Sequence, residues 1–168
     1  NGDAPFIDAD TLRASLELHT SSNSEVTVIT ADIDDPQSYG RIIRSSGEFT
    51  AIREQKDCSP AEAEICEVNS GAYWFSAKAL LQTLPKLSTN NAAGEYYLTD
   101  CVEMMSRRQA YKSANPDIVL GANTRGALLE LNQLARLRKL SRLKLPVCLG
   151  TSVTHEVALG LLIRDPDR

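Results

Sequence analysis

The order of apolar and polar residues along the chain predicts strands and helices in alternation. The segment 26–33 is rich in β-branched residues, which is typical of a buried strand. Leucines at helical spacing follow Thr124, which is placed to cap a long helix. By the same criteria we predict strands over 26–33, 41–44, 49–54, 67–75 and 117–120. We predict helices over 8–20, 76–84, 98–108 and 125–143, and a short one that starts at Ser59.

Signals at the ends of these elements refine the prediction. The residues 45–48 (Ser-Ser-Gly-Glu) lie between two strand-like runs and predict a hairpin turn. Gly71, inside the strand 67–75, indicates a bulge or a close backbone approach. Asp10 and Ser76 are placed to cap their helices. Strands that alternate with helices, together with one hairpin, indicate an α/β fold with a mixed sheet.

The stretch 90–100 combines amide, aromatic and acidic side chains just before an apolar run. Leu98 and Val102 have helical spacing, and Thr99 or Asp100 is placed to cap the first turn. A helix start gathers unpaired N–H groups and positive dipole charge, so it favours an anion such as a phosphate. From this stretch alone, a capped loop-to-helix junction with surface tyrosines is the favoured interpretation.

Composition and charge narrow the function. The 168 residues suffice for one domain with a core, and the net charge of −4 argues against a nucleic-acid-binding protein. No apolar run approaches the roughly 20 residues of a membrane span. The four cysteines contain no C-x-x-C pair and only two histidines are present, so free thiols are expected and a zinc site is not. Buried or idle thiols in a reducing cytosol are the default for such cysteines, so we predict a cytoplasmic protein.

Six short motifs follow one another along the chain in an order that a family explains. They are Asn1-Gly2-Asp3-Ala4-Pro5-Phe6-Ile7, Asp35-Pro36-Gln37-Ser38-Tyr39-Gly40-Arg41-Ile42, Glu54-Gln55-Lys56-Asp57, Glu67-Val68-Asn69-Ser70-Gly71, Gly94-Glu95-Tyr96-Tyr97-Leu98-Thr99-Asp100 and Gly121-Ala122-Asn123-Thr124-Arg125. This ordered set resembles the uridylyltransferase domain of the bifunctional bacterial N-acetylglucosamine-1-phosphate uridylyltransferase and glucosamine-1-phosphate acetyltransferase. The resemblance extends from residue 1 to about residue 140.

The resemblance implies a Rossmann-like nucleotidyltransferase fold, of which this chain would be the sugar-binding half. It implies transfer of UMP from UTP to N-acetylglucosamine 1-phosphate with Mg²⁺, giving UDP-N-acetylglucosamine for cell-wall synthesis and pyrophosphate. The full-length protein would also be an acetyltransferase, and would form a homotrimer through a left-handed β-helix. We expect the sugar-binding half to cover residues 1–125, a linker helix 126–143, and a tail 144–168 that could be the start of that β-helix.

Two oxygen-bearing side chains suit a magnesium site. Asp3 follows what reads as a strand end, where α/β sheets place their ligands, and Asn123 follows the predicted strand 117–120. From the residues alone, a turn aspartate and a turn or capping asparagine are the alternatives. The resemblance implies that Asp3 and Asn123 hold the metal together, with Asn123 also at the substrate.

Glu54 and Asn69 suit sugar recognition, since a carboxylate accepts hydroxyl hydrogen bonds and an amide both donates and accepts, as an N-acetyl group requires. Gly40 would let a ligand approach the main chain. A solvated charge and a simple turn glycine are the alternatives for Glu54 and Gly40. The residues that the resemblance places at the sugar phosphate are Gly40, Glu54, Asn69, Glu95, Tyr97 and Thr99. It gives this chain no catalytic residue.

Two other functions remain open at this stage: a nucleotidyltransferase for another sugar phosphate, and a non-catalytic sugar-nucleotide-binding module. The Gly-rich phosphate loop with its Arg and Lys, which the resemblance would place upstream, has no counterpart in these 168 residues. We therefore expect the 168 residues alone, as part of a larger enzyme, to be inactive.

Overall fold

The computed structural model describes residues 4–36, 38–122 and 124–142, and within them a five-stranded mixed sheet. The strands are β1 Val26–Asp32, β2 Arg41–Ser45, β3 Glu48–Arg53, β4 Glu67–Phe75 and β5 Arg108–Lys112. Their order is β3-β2-β4-β1-β5, with β1 and β5 parallel and the other neighbours antiparallel. The predicted α/β fold with a mixed sheet is thereby confirmed.

In the described ranges, five α-helices and three 3₁₀ turns accompany the sheet. The α-helices are α1 Ala9–Ser21, α2 Pro60–Ala63, α3 Ala77–Thr83, α4 Asp100–Glu103 and α5 Arg125–Arg142. The 3₁₀ turns are Gln55–Asp57, Leu84–Lys86 and Pro116–Val119. The chain divides into two compact units, Asn1–Asn123 and Thr124–Arg168, and α5 belongs to the second. Thr124 caps α5 as predicted, since its Oγ1 accepts the N–H of Ala127 at 3.0 Å.

Strand β1 is buried on both faces, which explains its run of β-branched residues. Val26 and Val28 belong to one apolar cluster, with Ile42 of β2 and Val102 of α4. The second cluster contains Ile29, Ala31, Val68, Ile118 and Val119. Alternate residues of β1 thus enter opposite sides of the sheet, and the core is built around this strand.

Two glycines give the sheet its turn and its irregularity, as predicted. Ser46 and Gly47 join β2 to β3 with φ angles of 51° and 85°, which are the values that a two-residue type I′ turn requires. Gly71 has φ 76°, and the register between β1 and β4 shifts between Val28 and Thr30. The Ser70 hydroxyl donates to the carbonyl of Ile29 at 2.7 Å within this bulge.

The predicted helix over 98–108 is wrong in its length. The structure has only the four residues of α4, and Arg108 instead opens β5. The Arg108 guanidinium donates to the carbonyls of Glu103 (3.1 Å) and Met105 (2.6 Å), which supplies partners where α4 ends. From Arg108 onward the chain pairs with β1, and sheet pairing outweighs a helical spacing that is only a weak local preference.

The predicted strand over 117–120 is also wrong, because the 3₁₀ turn Pro116–Val119 occupies this segment. Pro116 has no N–H for a ladder, and the Asn115 side chain accepts the N–H of Asp117 at 3.2 Å, which starts a turn. Ile118 and Val119 are nevertheless buried, so the apolar pattern identified core residues but not their conformation.

Helix α1 differs from the prediction in its cap, and two of its leucines are partly exposed. The cap is Asp8 rather than Asp10, and Asp8 Oδ1 accepts the N–H of Thr11 at 2.7 Å. Thr11 is buried, while Leu12 and Leu16 are 37% and 40% exposed. Ser76 stands at the N-cap position of α3, but its side chain makes no capping hydrogen bond.

Candidate functional site

Gly40, Glu54 and Asn69 lie at one end of the β2–β3 hairpin. Gly40 directly precedes β2 and Glu54 directly follows β3, so the antiparallel pairing brings them together. A Cβ atom on Gly40 would lie 3.0 Å from Ile52 Cγ2 and 3.4 Å from Glu54 Oε2, which leaves little room for any side chain there. The N–H of Asn69 donates to the carbonyl of Gly40 at 2.9 Å. Three of the residues predicted to bind sugar thus share one surface.

Thr99 joins this group through its hydroxyl. Thr99 Oγ1 donates to Glu54 Oε1 at 2.8 Å, and Thr99 is only 4% exposed. Thr99, one of the two predicted caps, stands at the N-cap position of α4, but its side chain makes no capping hydrogen bond, and Asp100 is the first helical residue. A helix of four residues has little dipole to attract an anion, so the length of α4 does not support the anion site inferred from the helix start, which stays a prediction. The Thr99 hydroxyl donates to Glu54 because packing brings the two side chains together and a hydrogen bond to a charged acceptor is stronger than one to a neutral acceptor.

The Asn69 amide is held in one orientation from both sides. Its Nδ2 donates to the hydroxyl of Tyr73 at 2.6 Å, and its Oδ1 accepts the N–H of Gly71 at 2.9 Å. Burial raises the pKa of Tyr73 to about 12, with a further contribution from the charge of Glu54, against the lowering effect of the Asn69 hydrogen bond. Each partly used amide atom keeps capacity for one more hydrogen bond, as a ligand would need.

A second tether brings the segment 88–99 to the hairpin end. Asp57 Oδ1, three residues after Glu54, accepts the N–H of Ala92 at 2.8 Å. Asn91 closes the loop on itself, because its amide donates to the carbonyl of Glu95 (2.6 Å) and accepts the N–H of Glu95 (3.2 Å). The other oxygen of Asp57 is buried without a hydrogen bond among the described residues. The loop is thus anchored at Asp57 and at Glu54.

Tyr97 lies within electrostatic reach of several carboxylates, one in this loop and three outside it. Loss of hydration raises the pKa of its phenol, and so do the charges of Asp57, Glu54, Glu95 and Asp100. Tyr97 is therefore neutral at physiological pH and available as a hydrogen-bond donor. The Glu95 side chain is exposed beside it.

Asp57, Tyr73 and Asn91 are site residues that sequence reasoning missed. Asp57 closes the motif Glu54-Gln55-Lys56-Asp57, but no role followed from its position. Tyr73 is four residues beyond Asn69 on the same strand, so alternation along a strand could have suggested a shared face. The intervening bulge at Gly71 made that inference unsafe, and only the structure places the two groups in contact.

Asp3 and Asn123 lie outside the described residues, as do Gln37 and the whole tail 143–168 with its predicted β-helix start. Tyr39 makes a hydrogen bond with the backbone of Gly121, which lies two residues before Asn123, and this contact does not involve the segment of Asp3. No group of three or more His, Cys, Asp or Glu side chains in the described part of the chain is placed to hold a metal ion. The predicted metal site stays a prediction.

Other side chains that carry chemistry have ordinary surroundings. Lys56 is exposed, and His19 Nδ1 lies 2.9 Å from the hydroxyl of Thr27. Cys58, Cys66 and Cys101 are free thiols. None of the helices in the described ranges is long and apolar enough to cross a membrane.

The fold is that of the sugar nucleotidyltransferases. It is similar to a protein assigned as a glucose-1-phosphate thymidylyltransferase from Bacillus anthracis, with a TM-score of 0.57 and 21% identity over 74% of this chain and 49% of that one. It is also similar to apo UDP-glucose pyrophosphorylase, with a TM-score of 0.57 and 13% identity over 80% of this chain and 50% of that one. At these identities the likeness concerns the fold.

The sequence relatives are more specific. Over 141 residues the chain is 44% identical to the bifunctional protein GlmU of Clostridium novyi (strain NT), which covers 82% of this chain and 31% of the relative. Over 140 residues it is 44% identical to the bifunctional protein GlmU of Geobacillus thermodenitrificans (strain NG80-2), covering 80% and 30%. The predicted resemblance is confirmed, and the chain is related to a part of the GlmU proteins. It spans about a third of their length. No protein-family model matches the sequence.

Proposed function

We propose that this chain is the sugar-phosphate-binding part of a uridylyltransferase. In the full-length protein a phosphate oxygen of N-acetylglucosamine 1-phosphate attacks the α-phosphorus of UTP. The bond from that phosphorus to the bridging oxygen breaks, and UDP-N-acetylglucosamine and pyrophosphate form. The observation that carries the proposal is the convergence of Gly40, Glu54, Asn69 and Thr99 at one end of the hairpin.

Each residue has a role that its geometry supports. The Glu54 carboxylate accepts hydrogen bonds from sugar hydroxyls, and the hydrogen bond from Thr99 holds the carboxylate in place. The orientated Asn69 amide, which has one donor and one acceptor site left, binds the N-acetyl group. Gly40 keeps the surface beside the carboxylate free of a side chain. The phenol of Tyr97 and the carboxylate of Glu95 are assigned to the sugar phosphate by the family resemblance. These groups bind and orient, so catalysis here is mainly positioning.

Mg²⁺ belongs to this proposal as a cofactor. Asp3 and Asn123 would supply a carboxylate and an amide oxygen, a donor set that suits Mg²⁺, which takes few protein ligands and keeps phosphate and water oxygens. When bound, the ion offsets phosphate charge. The family resemblance adds a cytoplasmic homotrimer with a second, acetyltransferase activity to this proposal, and the relative from Clostridium novyi is named a bifunctional protein.

The test uses the full-length protein that contains this chain. Pyrophosphate release from UTP is measured with N-acetylglucosamine 1-phosphate and with glucose 1-phosphate, which lacks the acetamido group. We expect a clear preference for the former. Asn69→Ala should reduce that preference by roughly tenfold, because a site that hydrogen-bonds a polar group discriminates through it.

Two results would overturn the proposal. One is an equal or better rate with glucose 1-phosphate, which would indicate a different sugar nucleotidyltransferase. The other is binding of UDP-N-acetylglucosamine without any transfer by the full-length protein, which would indicate a binding module. Ser70→Ala serves as the matched control, since Ser70 lies next to Asn69 but donates to the Ile29 carbonyl.

A further inference from the structure

Arg41, the first residue of β2, is a buried cation with neutral partners. It is 1% exposed and is the largest of the fully buried side chains. Its guanidinium donates to the carbonyl of Tyr39, to Gln55 Oε1 at 2.6 Å and to the carbonyl of Ala63 at 3.3 Å. No carboxylate among the described residues forms an ion pair with it.

This arrangement is a poor way to gain stability. A buried charge without a counter-charge costs free energy that neutral hydrogen bonds offset only in part. Arg44, three residues along the same strand, shows the ordinary alternative, since it pairs with the Glu67 carboxylate at 2.8 Å. The burial of Arg41 therefore calls for a role other than stability.

The acceptors of Arg41 are the chain neighbours of two site residues. Tyr39 directly precedes Gly40, and Gln55 directly follows Glu54. One guanidinium thus holds both backbone segments whose approach places Glu54 Oε2 3.4 Å from the Cβ position of Gly40. The Ala63 carbonyl, at the end of α2, fixes the guanidinium from a third side.

We propose that Arg41 is a positioning residue that sets the distance between Gly40 and Glu54 and thereby the affinity for the sugar phosphate. The proposal rests on the function proposed above. Arg41 is not a catalytic residue, because its donors are directed at protein acceptors. A planar fork reaches acceptors on three segments at once, whereas the point charge of a lysine cannot reproduce that geometry.

The experiment measures KM for the sugar phosphate, KM for UTP, kcat and the unfolding midpoint in the full-length protein. The variants are Arg41→Met, Arg41→Lys and Gln55→Met, with Arg44→Met as the matched control from the same strand. We expect Arg41→Met and Arg41→Lys to raise KM for the sugar phosphate by roughly tenfold or more, since displacements of an ångström weaken binding geometry strongly. KM for UTP should change by less than about twofold. Arg44→Met should lower the unfolding midpoint but leave both KM values near those of the wild type.

Gln55→Met should raise KM for the sugar phosphate but not KM for UTP. The double variant with Arg41→Met should have the same KM for the sugar phosphate as Arg41→Met, since each substitution removes the same hydrogen bond between Arg41 and Gln55. An unchanged KM in Arg41→Met, or an equal rise in Arg44→Met, would overturn the proposal. If Arg41→Met does not fold, Arg41→Lys and Gln55→Met decide by the same criterion.

Failure of the proposed function gives a different result. The wild type would then use another sugar phosphate, and KM for that compound takes the place of KM for N-acetylglucosamine 1-phosphate. If the wild type transfers nothing, amide hydrogen exchange decides instead. The amides of 39–41 and 54–56 should exchange faster in Arg41→Lys than in Arg44→Met, and equal exchange would refute the role of Arg41.

Discussion

Thr99 and Glu54 come from segments 45 residues apart, and one hydrogen bond of 2.8 Å joins them. Asn69 and Tyr73, four residues apart on β4, form the second such pair at 2.6 Å. In the first pair the hydroxyl of Thr99 holds the carboxylate of Glu54, and in the second the hydroxyl of Tyr73 holds the amide of Asn69. At the residue scale, the site is therefore defined by which hydroxyl holds which carboxylate or amide.

Thr99→Val should weaken sugar-phosphate binding. The substitution keeps the shape of the side chain but removes the donor to Glu54, and a hydrogen bond to a charged group is worth about 1.5 to 3 kcal/mol. We expect KM for the sugar phosphate to rise by roughly tenfold in the full-length protein. Thr99→Ser keeps the hydroxyl and should remain close to the wild type. An unchanged KM in Thr99→Val would mean that the Glu54 carboxylate needs no support.

Tyr73→Phe should change how stability depends on pH. Below pH 10 the folded and unfolded states both keep the phenol proton, so the contribution of Tyr73 is complete. Between about pH 10 and 12 the unfolded state loses the proton while the folded state, with a pKa of about 12, keeps it, so stability falls as pH rises. The fall is about 2 to 3 kcal/mol for a shift of this size.

Denaturant unfolding between pH 9 and 12 measures this effect as the difference between wild type and variant. Tyr73→Phe should lose that fall in stability. Tyr96→Phe, at a phenol that is 71% exposed, should keep it. If both variants follow the wild type, the Tyr73 phenol is hydrated rather than buried.

At the scale of elements, prediction succeeded where a local signal decides and failed where two elements compete. The β2–β3 turn follows from Ser46-Gly47, and the start of α2 follows from the Ser59 cap, to which the structure adds a capping box with Glu62. Strand β4 has the predicted bounds. The predicted helix over 98–108 is wrong because the spacing of its leucine, valine and methionine residues fits a helix. Pairing with β1 and the contacts of Arg108 instead favour a short helix followed by a strand.

Glu67 holds neighbouring strands together. Its carboxylate accepts from Thr30 of β1 (2.8 Å) and from Arg44 of β2 (2.8 and 2.9 Å), and it pairs with Lys112 of β5 (3.2 Å). Burial alone would raise the pKa of Glu67, but the hydrogen bonds from Arg44, Thr30 and Lys112 outweigh it and lower the pKa. This cluster links four of the five strands through one side chain.

Glu67→Gln should destabilise the sheet at pH 7 by about 2 to 4 kcal/mol, since it leaves Arg44 without its counter-charge in a partly buried place. Because the folded pKa is depressed, the stabilisation is complete above the ordinary pKa of 4.5 and is lost as pH falls through the folded value. The gap between wild type and variant in urea unfolding should therefore narrow in acid. Glu48→Gln, at an exposed hairpin residue, is the control, and an equal loss there would contradict the prediction.

At the scale of the whole molecule, strand order assembles the candidate site. Strands β2 and β4 are neighbours in the sheet although β3 and α2 separate them in the chain, so Gly40 and Asn69 meet through a non-sequential pairing. In the proposed function the chain supplies the sugar-side surface, and its 168 residues contain no Gly-rich phosphate loop.

The 168-residue chain alone should therefore release no pyrophosphate from UTP and N-acetylglucosamine 1-phosphate above background. The reason is that positioning and neutralising the triphosphate supply most of the rate in phosphoryl transfer. A coupled pyrophosphate assay on the purified chain checks this, with the full-length protein as positive control. Turnover by the chain alone would show that the described residues and their tail complete a triphosphate site.

The sequence by itself determined the relationship to a part of the GlmU proteins. It also determined the elements whose signals are local, because turns, caps and β-branched runs act within a few residues. It also singled out Gly40, Glu54, Asn69 and Thr99, whose joint role in binding stays a prediction. The tertiary structure alone decided that the Thr99 hydroxyl donates to Glu54 and makes no capping hydrogen bond, and that Tyr73 accepts from Asn69. It also decided that Arg41 joins the segments of Gly40 and Glu54. Those contacts depend on the order of strands in the sheet, since strand order decides which polar groups from distant parts of the chain lie within hydrogen-bond distance.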